Sequence, residues 1–280
     1  MIQKKTCENG VVVYRSTLLD DMGVLHGFST RVGGMSPARN KGDYDGLDLG
    51  VVGDERDGIG LKYIAANFRK LRKAVGMQRM IRREIRQVHG GEVYVWKKDE
   101  EPVGLADAPA VDGMVTRNAG EMLTIRTADC TPVLLAGKDA AGQIVIGAVH
   151  AGWRGVVDGV IGNAIQVMEE MGANASGIVS AIGPCIGVDV FEVGNEVVEQ
   201  FERAKLGSFI LLGSGQGRKQ ERAHIDLRSA VWDQLVRAGM SNGRIDVCDI
   251  CTYERADEFY SYRRVNECGR MAAVIGICKK

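Results

Sequence analysis

The sequence predicts an α+β domain in which β-sheets form the centre and helices pack outside them. Short apolar runs bounded by turn residues recur through the middle of the chain, as in strands covered on both faces. Amphipathic stretches that stop at glycine lie between and after them, as helices do. No low-complexity linker and no repeat at solenoid or propeller period divides the 280 residues, so a single domain over 1–280 is expected.

The run VVVY (11–14) opens as a strand. Residues 26–58 follow, rich in Gly, Ser, Asn and Asp with little periodicity, and so long a loop in a compact domain is usually functional. Leu61, Ile64, Ala65, Phe68, Leu71 and Val75 mark the buried face of a helix, with Arg69, Lys70, Arg72 and Lys73 largely opposite. That basic run continues to Arg86 without interleaved aromatics, which suits a solvated face better than a nucleic-acid patch. Strands are expected at 92–96, 112–116, 122–127, 132–137 and 143–150, then a helix at 155–172 ending on Gly172. A strand at 177–183, a helix at 194–204 and two strands around a soft loop within 209–227 come next. A helix at 228–239, closed by Gly239, precedes the last strands at 244–250 and 271–277.

Lys plus Arg and Asp plus Glu each total 36, so no long-range field gathers nucleic acid or a membrane surface. At 45% hydrophobic and 26% charged, the chain has ordinary globular composition and enough apolar material for a full core. The start MIQKKTCENG is charged with no apolar stretch behind it, unlike a signal peptide. No run approaches the roughly 18–20 apolar residues that cross a bilayer. A cytoplasmic protein is expected, its seven cysteines mostly thiols.

Three residues share one local design. His89 (in QVHG), Cys130 (in ADC) and His150 (in AVHAGWRG) each end or flank an apolar run and are followed closely by Gly or Pro. Two imidazoles and a thiolate suit zinc, with copper as competitor, and three ligands leave a fourth position open. Spacing alone does not bring them together, and each could equally be a packed core residue. CDIC (248–251) has CxxC spacing but reads as part of a strand, while Cys185 in a Gly-Pro turn is either a tight-turn core residue or a second thiol near the site. Arginine recognises phosphate and carboxylate through its planar fork. Arg31, Arg154, Arg263, Arg264 and Arg270 are candidates, with Arg154 favoured because it stands four residues after His150 at the start of the helix expected around Gly155. Asp129 adjoins Cys130 and could serve as general acid/base or as the carboxylate that orients a histidine.

These motifs, with HGFSTRVGG, AIGPCIG, HIDLR and CTYERADEFYSYRRVNECGR in the same order, resemble the YfiH-like, or laccase-domain, family over roughly residues 24–277. Members have been called polyphenol oxidases, peptidoglycan editing factors and purine nucleoside phosphorylases. The resemblance implies layered mixed β-sheets with helices outside, and zinc on His89, Cys130 and His150. It also implies phosphorolysis of adenosine, inosine and methylthioadenosine, with adenosine deamination beside it. Small-molecule nucleosides and phosphate would then be the partners of a monomer or homodimer, Cys130, Asp129 and Arg154 the catalytic residues, and Arg31 and Arg263 the substrate-binding ones. Two motifs depart from the family pattern: Asp48 stands where LNLG is usual, and VDGMVT replaces ADAxVT, which bears on substrate preference.

Competing readings remain. None of the four histidines is followed two residues later by Glu, so the proton-shuttling H-x-E of familiar zinc deaminases is absent. Multicopper chemistry needs more imidazoles than His26, His89, His150 and His224 supply, so a copper-loaded oxidase would rest on one ion in the His/Cys/His site. A metal-free hydrolase with Cys130 as nucleophile and a histidine as base, acting on a cell-wall precursor, is the other alternative.

Overall fold

In the computed structural model, which describes residues 1–38, 42–50, 58–212 and 222–279, β1 (Ile2–Thr6) and β2 (Val12–Ser16) form an antiparallel hairpin turned at Gly10. Gly10 has φ 79°, a left-handed conformation that glycine adopts without strain. Ser16 then caps the one-turn helix α1 (Thr17–Asp21) by accepting from the Leu19 amide. β3 (Leu25–Ser29) overlaps the start of the stretch expected to be loop. The helix α2 (Gly58–Ala74) buries Phe68 and Leu71 as expected, and Val75 just beyond it, but Ala65 is exposed. The expected burial of Leu61 lies outside the described side chains. Asn67 is buried instead, donating to Ser36 Oγ and to the carbonyls of Gly46 and Asp48, and so ties the preceding loop to the helix.

The central strands follow as β4 (Ile81–Glu84), β5 (Val93–Val95), β6 (Gly113–Thr116), β7 (Glu121–Thr127), β8 (Thr131–Lys138) and β9 (Ile144–Ala151). The helix expected over 155–172 is two helices, α3 (Trp153–Val157) and α4 (Val160–Glu170), parted at Gly159 with φ 77°. Then come β10 (Val179–Ile182), the short β11 (Glu192–Val193), α5 (Asn195–Arg203), β12 (Ile210–Leu212) and β13 (Ala223–Ile225). The soft loop expected between the last two lies outside the described residues. α6 (Leu227–Arg237), β14 (Ile245–Val247) and β15 (Met271–Gly276) complete the chain.

Two six-stranded mixed sheets result, ordered β1-β2-β3-β15-β7-β4 and β14-β10-β8-β9-β6-β5, with β11-β13-β12 as a small third. They stack face to face between helices. Strand β8 shows why its residues are apolar without interruption: Leu134 and Ala136 face the first sheet, while Val133 and Leu135 face α4 and α6. Phe28, Ile125 and Ile275 meet Leu134, Ile146 and Ala148 between the sheets. Val13, Met122 and Val274 pack outward against Phe68 and Leu71 of α2. This helix–sheet–sheet–helix order is the layered α+β fold expected. Among the described residues no helix is long and apolar enough to cross a membrane.

Candidate metal centre

The register of the second sheet builds the site. In the β8–β9 hairpin Thr131 pairs with Ala151 and Pro132 with His150, so Cys130 and Gly152 meet one step beyond the last pair. Gly113 of β6 pairs with Val149, which sets Asp112 beside His150, and the His150 amide donates to the Asp112 carbonyl at 2.8 Å. His89 arrives on the loop before β5 at φ 62°, a conformation unusual for a residue with a Cβ. The donor atoms of His89, Cys130 and His150 lie within 4.8 Å of one another, with Cys130 Sγ 3.9 Å from His89 Nε2. The two imidazoles stand edge to face, 4.8 Å between ring centres.

Gly152 explains the glycine behind His150. A Cβ there would sit 2.9 Å from His89 Cδ2 and 3.2 Å from Cys130 Sγ. Gly155, the last glycine of HAGWRG, lets the His89 loop approach, because a Cβ there would stand 2.9 Å from the Gly90 carbonyl oxygen. In the metal-free chain, burial raises the Cys130 thiol, but His150 first and then His89 outweigh it and hold the pKa at about 6. Burial opposes protonation of His150, yet Cys130 and Asp112 carry it up to about 9.

His89, Cys130 and His150 open onto a cavity of about 950 Å³. Its apolar surface includes Ile186, Trp153 and Phe191, and its charge comes from Arg86, Arg126, Arg154, Arg263 and Arg270. Arg154 lies 4.2 Å over the Trp153 ring and Arg263 lies 5.3 Å over that of Phe191.

The expected residues are only partly brought together. Arg154 and Arg263 line the cavity, though Arg154 sits in the first turn of a five-residue helix and not ahead of a long one. Arg31 does not line it: Asp43 and Asp45 both claim its guanidinium, which lies 4.6 Å over the Tyr260 ring. Arg264 is likewise committed, to the carbonyls of Thr252, Tyr253 and Phe259. Asp129 borders the cavity at φ 95°, but its carboxylate accepts from Thr252 Oγ1, Ser261 Oγ and the Arg263 amide. It therefore anchors the loop carrying Arg263. The carboxylate that bonds a histidine is Asp112, 2.7 Å from His150 Nδ1. Asp112, Arg126 and Gly152 were missed by sequence reasoning. The glycine after His150 was the available signal for Gly152, whereas Arg126, next to the end of β7, gave none.

The remaining thiols and histidines lie apart. Cys185 is fully buried and outside the cavity lining, and burial raises its pKa. β14 ends before Cys248, whose thiol burial pushes up to about 12, and no helix opens there as a thioredoxin-like motif requires. His26 accepts from the Ser16 amide and His224 bonds the Val188 carbonyl. Asp48 accepts from the amides of Gly50 and Arg270 and is not among the cavity-lining residues.

A family profile described as multi-copper polyphenol oxidoreductase laccase matches residues 25–278. A purine nucleoside phosphorylase of Deinococcus radiodurans is 36% identical over 264 residues, covering 93% of this chain and 92% of its own. An adenosine deaminase designated RL5, from an unknown prokaryotic organism, is 34% identical over 186 residues, 64% of this chain and 68% of its own. The crystal structure of YlmD from Geobacillus stearothermophilus is similar with a TM-score of 0.81 at 28% identity, covering 99% of both chains. Fold, motif order and a match over nearly the whole length agree: the chain belongs to the laccase-domain, YfiH-like family.

Proposed function

We propose that this chain is a zinc-dependent purine nucleoside phosphorylase of the cytoplasm, taking adenosine, inosine and methylthioadenosine, with adenosine deamination beside it. The observation that carries the reading is the His89–Cys130–His150 set opening onto a large cavity rimmed by arginine and aromatic side chains. Relatives named purine nucleoside phosphorylase and adenosine deaminase support it.

The residues fit a zinc ion. The donor set is two imidazole nitrogens and a thiolate, and the 3.9 Å between Cys130 Sγ and His89 Nε2 is near the ligand spacing of tetrahedral zinc, about 3.5 Å for its bond lengths. His89, Cys130 and His150 would hold the ion, which when bound supplies Lewis acidity at the reacting face of the nucleoside. Trp153, Phe191 and Tyr262 offer flat faces to a purine ring. Arg154, Arg263 and Arg270 present cationic groups around the same space, suited to phosphate and to charge that develops as the glycosidic bond breaks. Asp129 positions Arg263 by holding its backbone amide. Copper suits the same donors, but His26 and His224 bond elsewhere, so the imidazoles of a multicopper cluster do not converge here.

Incubation of the pure protein with adenosine, with and without phosphate, tests the reading. Phosphate-dependent release of adenine is expected, with some inosine. A zinc-loaded sample that yields neither product removes the nucleoside function. A second reading, a metal-free Cys130 nucleophile acting on a cell-wall amide, is favoured by the depressed thiol. Rapid labelling of Cys130 by iodoacetamide in the metal-loaded protein would support that reading, because a zinc-bound thiolate is a poor free nucleophile.

A further inference from the structure

We propose that Asp112 is a positioning residue that assembles both histidines of the site before any ion arrives, which rests on the reading of His89, Cys130 and His150 as zinc ligands. Its side chain is fully buried, and each of its two oxygens serves one histidine. Oδ1 lies 2.7 Å from His150 Nδ1. An ionised carboxylate can only accept, so Nδ1 keeps its proton and it is Nε2 that gives one up when a metal binds. Oδ2 accepts from the amides of Val88 at 3.1 Å and Gly90 at 2.6 Å. These are the two amides flanking His89, and they hold it at φ 62°. The backbone of Asp112 is itself fixed, its amide donating to the Glu92 carbonyl and its carbonyl accepting from the His150 amide. One carboxylate thus clamps two ligands, one on a loop and one at the end of β9.

The substitution Asp112→Asn keeps the shape and breaks the logic. If the amide oxygen stays on Val88 and Gly90, its NH2 group faces His150 Nδ1 and makes that nitrogen an acceptor, which moves the ring proton to Nε2. If the amide turns over, its NH2 meets two N–H donors and the His89 loop loses its clamp. Either orientation should weaken zinc binding about 10–100-fold.

The test titrates zinc into the full-length wild-type and Asp112→Asn proteins against a chromophoric chelator, and records imidazole 15N shifts of both without zinc above pH 9, where the His150 ring is neutral. The expected result is weakened zinc binding in the variant and a His150 tautomer reversed from Nδ1–H to Nε2–H, which a merely structural role would not change. Equal affinity and an unchanged tautomer would overturn the role of Asp112 while leaving the metal site intact. A folded wild-type protein that binds no zinc would instead overturn the metal reading, and this inference with it. Should the variant not fold, wild-type hydrogen exchange decides the matter: the Val88 and Gly90 amides must be protected without zinc, and free exchange until zinc is added overturns the proposal.

Discussion

An alanine at position 152 has an allowed backbone, φ −73° and ψ 165°, so any harm it does must come from its Cβ. That Cβ crowds His89 Cδ2 and Cys130 Sγ, and its next neighbour is His150 Cε1 at 3.7 Å. Gly152→Ala is therefore expected to lower bound zinc and activity at least tenfold while the melting temperature of the metal-free protein stays within about 3 °C, a pairing that metal analysis and calorimetry check. The arginines separate in the same way. Arg31 is tied into Asp43, Asp45 and Tyr260, so Arg31→Ala should cost about 1–3 kcal/mol of stability in urea denaturation and leave the KM for phosphate unchanged. Arg154→Ala removes a cavity guanidinium stacked on Trp153, and the phosphate KM should rise about tenfold with little loss of stability. The sequence offered both arginines as site candidates and favoured Arg154 only for its place after His150. Only their neighbours, brought in from other parts of the chain, tell them apart.

At the scale of elements, the strands missed by sequence reasoning are those that lack a continuous apolar run. β4 turns Arg83 inward to bond Glu121, so the hydrophobic pattern is silent there. β1 is an exposed edge strand carrying Lys4 and Lys5, and charge on an edge blocks pairing with other chains without giving a core signal. β3 looked like loop because it contains His26 and Gly27, yet His26 is fully buried and its Nε2 accepts from the Ser16 amide at 2.8 Å. Burial foremost, then the charge of Arg15, lowers the His26 pKa from 6.5 to about 4, with Asp20 and the Val24 carbonyl opposing. The unfolded chain therefore takes up this proton first on acidification. His26 contributes its stability fully above about pH 6.5 and loses it as the pH falls toward 4, a loss on the order of 3 kcal/mol. Urea midpoints from pH 7.5 to 4 should show this fall, flattened in His26→Gln. The contact between the two sheets gives a second expectation. A Cβ on Gly183, which follows β10, would stand 2.3 Å from Phe28 Cδ1 of β3. Gly183→Ala should thus destabilise by about 1–3 kcal/mol, read as a lowered urea midpoint at unchanged slope.

For the molecule as a whole, a metal held at this site would link binding to folding. The three donors come from two loops and a strand end, and they converge only when the second sheet has formed. Zinc held by the folded chain alone should then stabilise it, by about 2.7 kcal/mol when free zinc is 100 times the dissociation constant. Calorimetry with and without zinc reads this as a rise in melting temperature, and Cys130→Ser should abolish most of the increment without lowering the metal-free melting temperature by more than a few degrees. An equal rise in wild type and variant would show that zinc binds elsewhere.

The sequence by itself determined the α+β class, most central strands, and the candidacy of His89, Cys130 and His150 as one ligand set. Strands buried on both faces must be apolar throughout, and glycines that admit close packing stand beside the residues they serve, so both features are written locally. Only the tertiary structure decided that Arg31 stabilises a loop, that Asp129 holds a loop while Asp112 bonds His150, and that Arg126 faces the cavity. The role of a charged side chain depends on which opposite charges and hydrogen-bond partners reach it. In this protein those partners arrive through strand register and sheet stacking across the length of the chain.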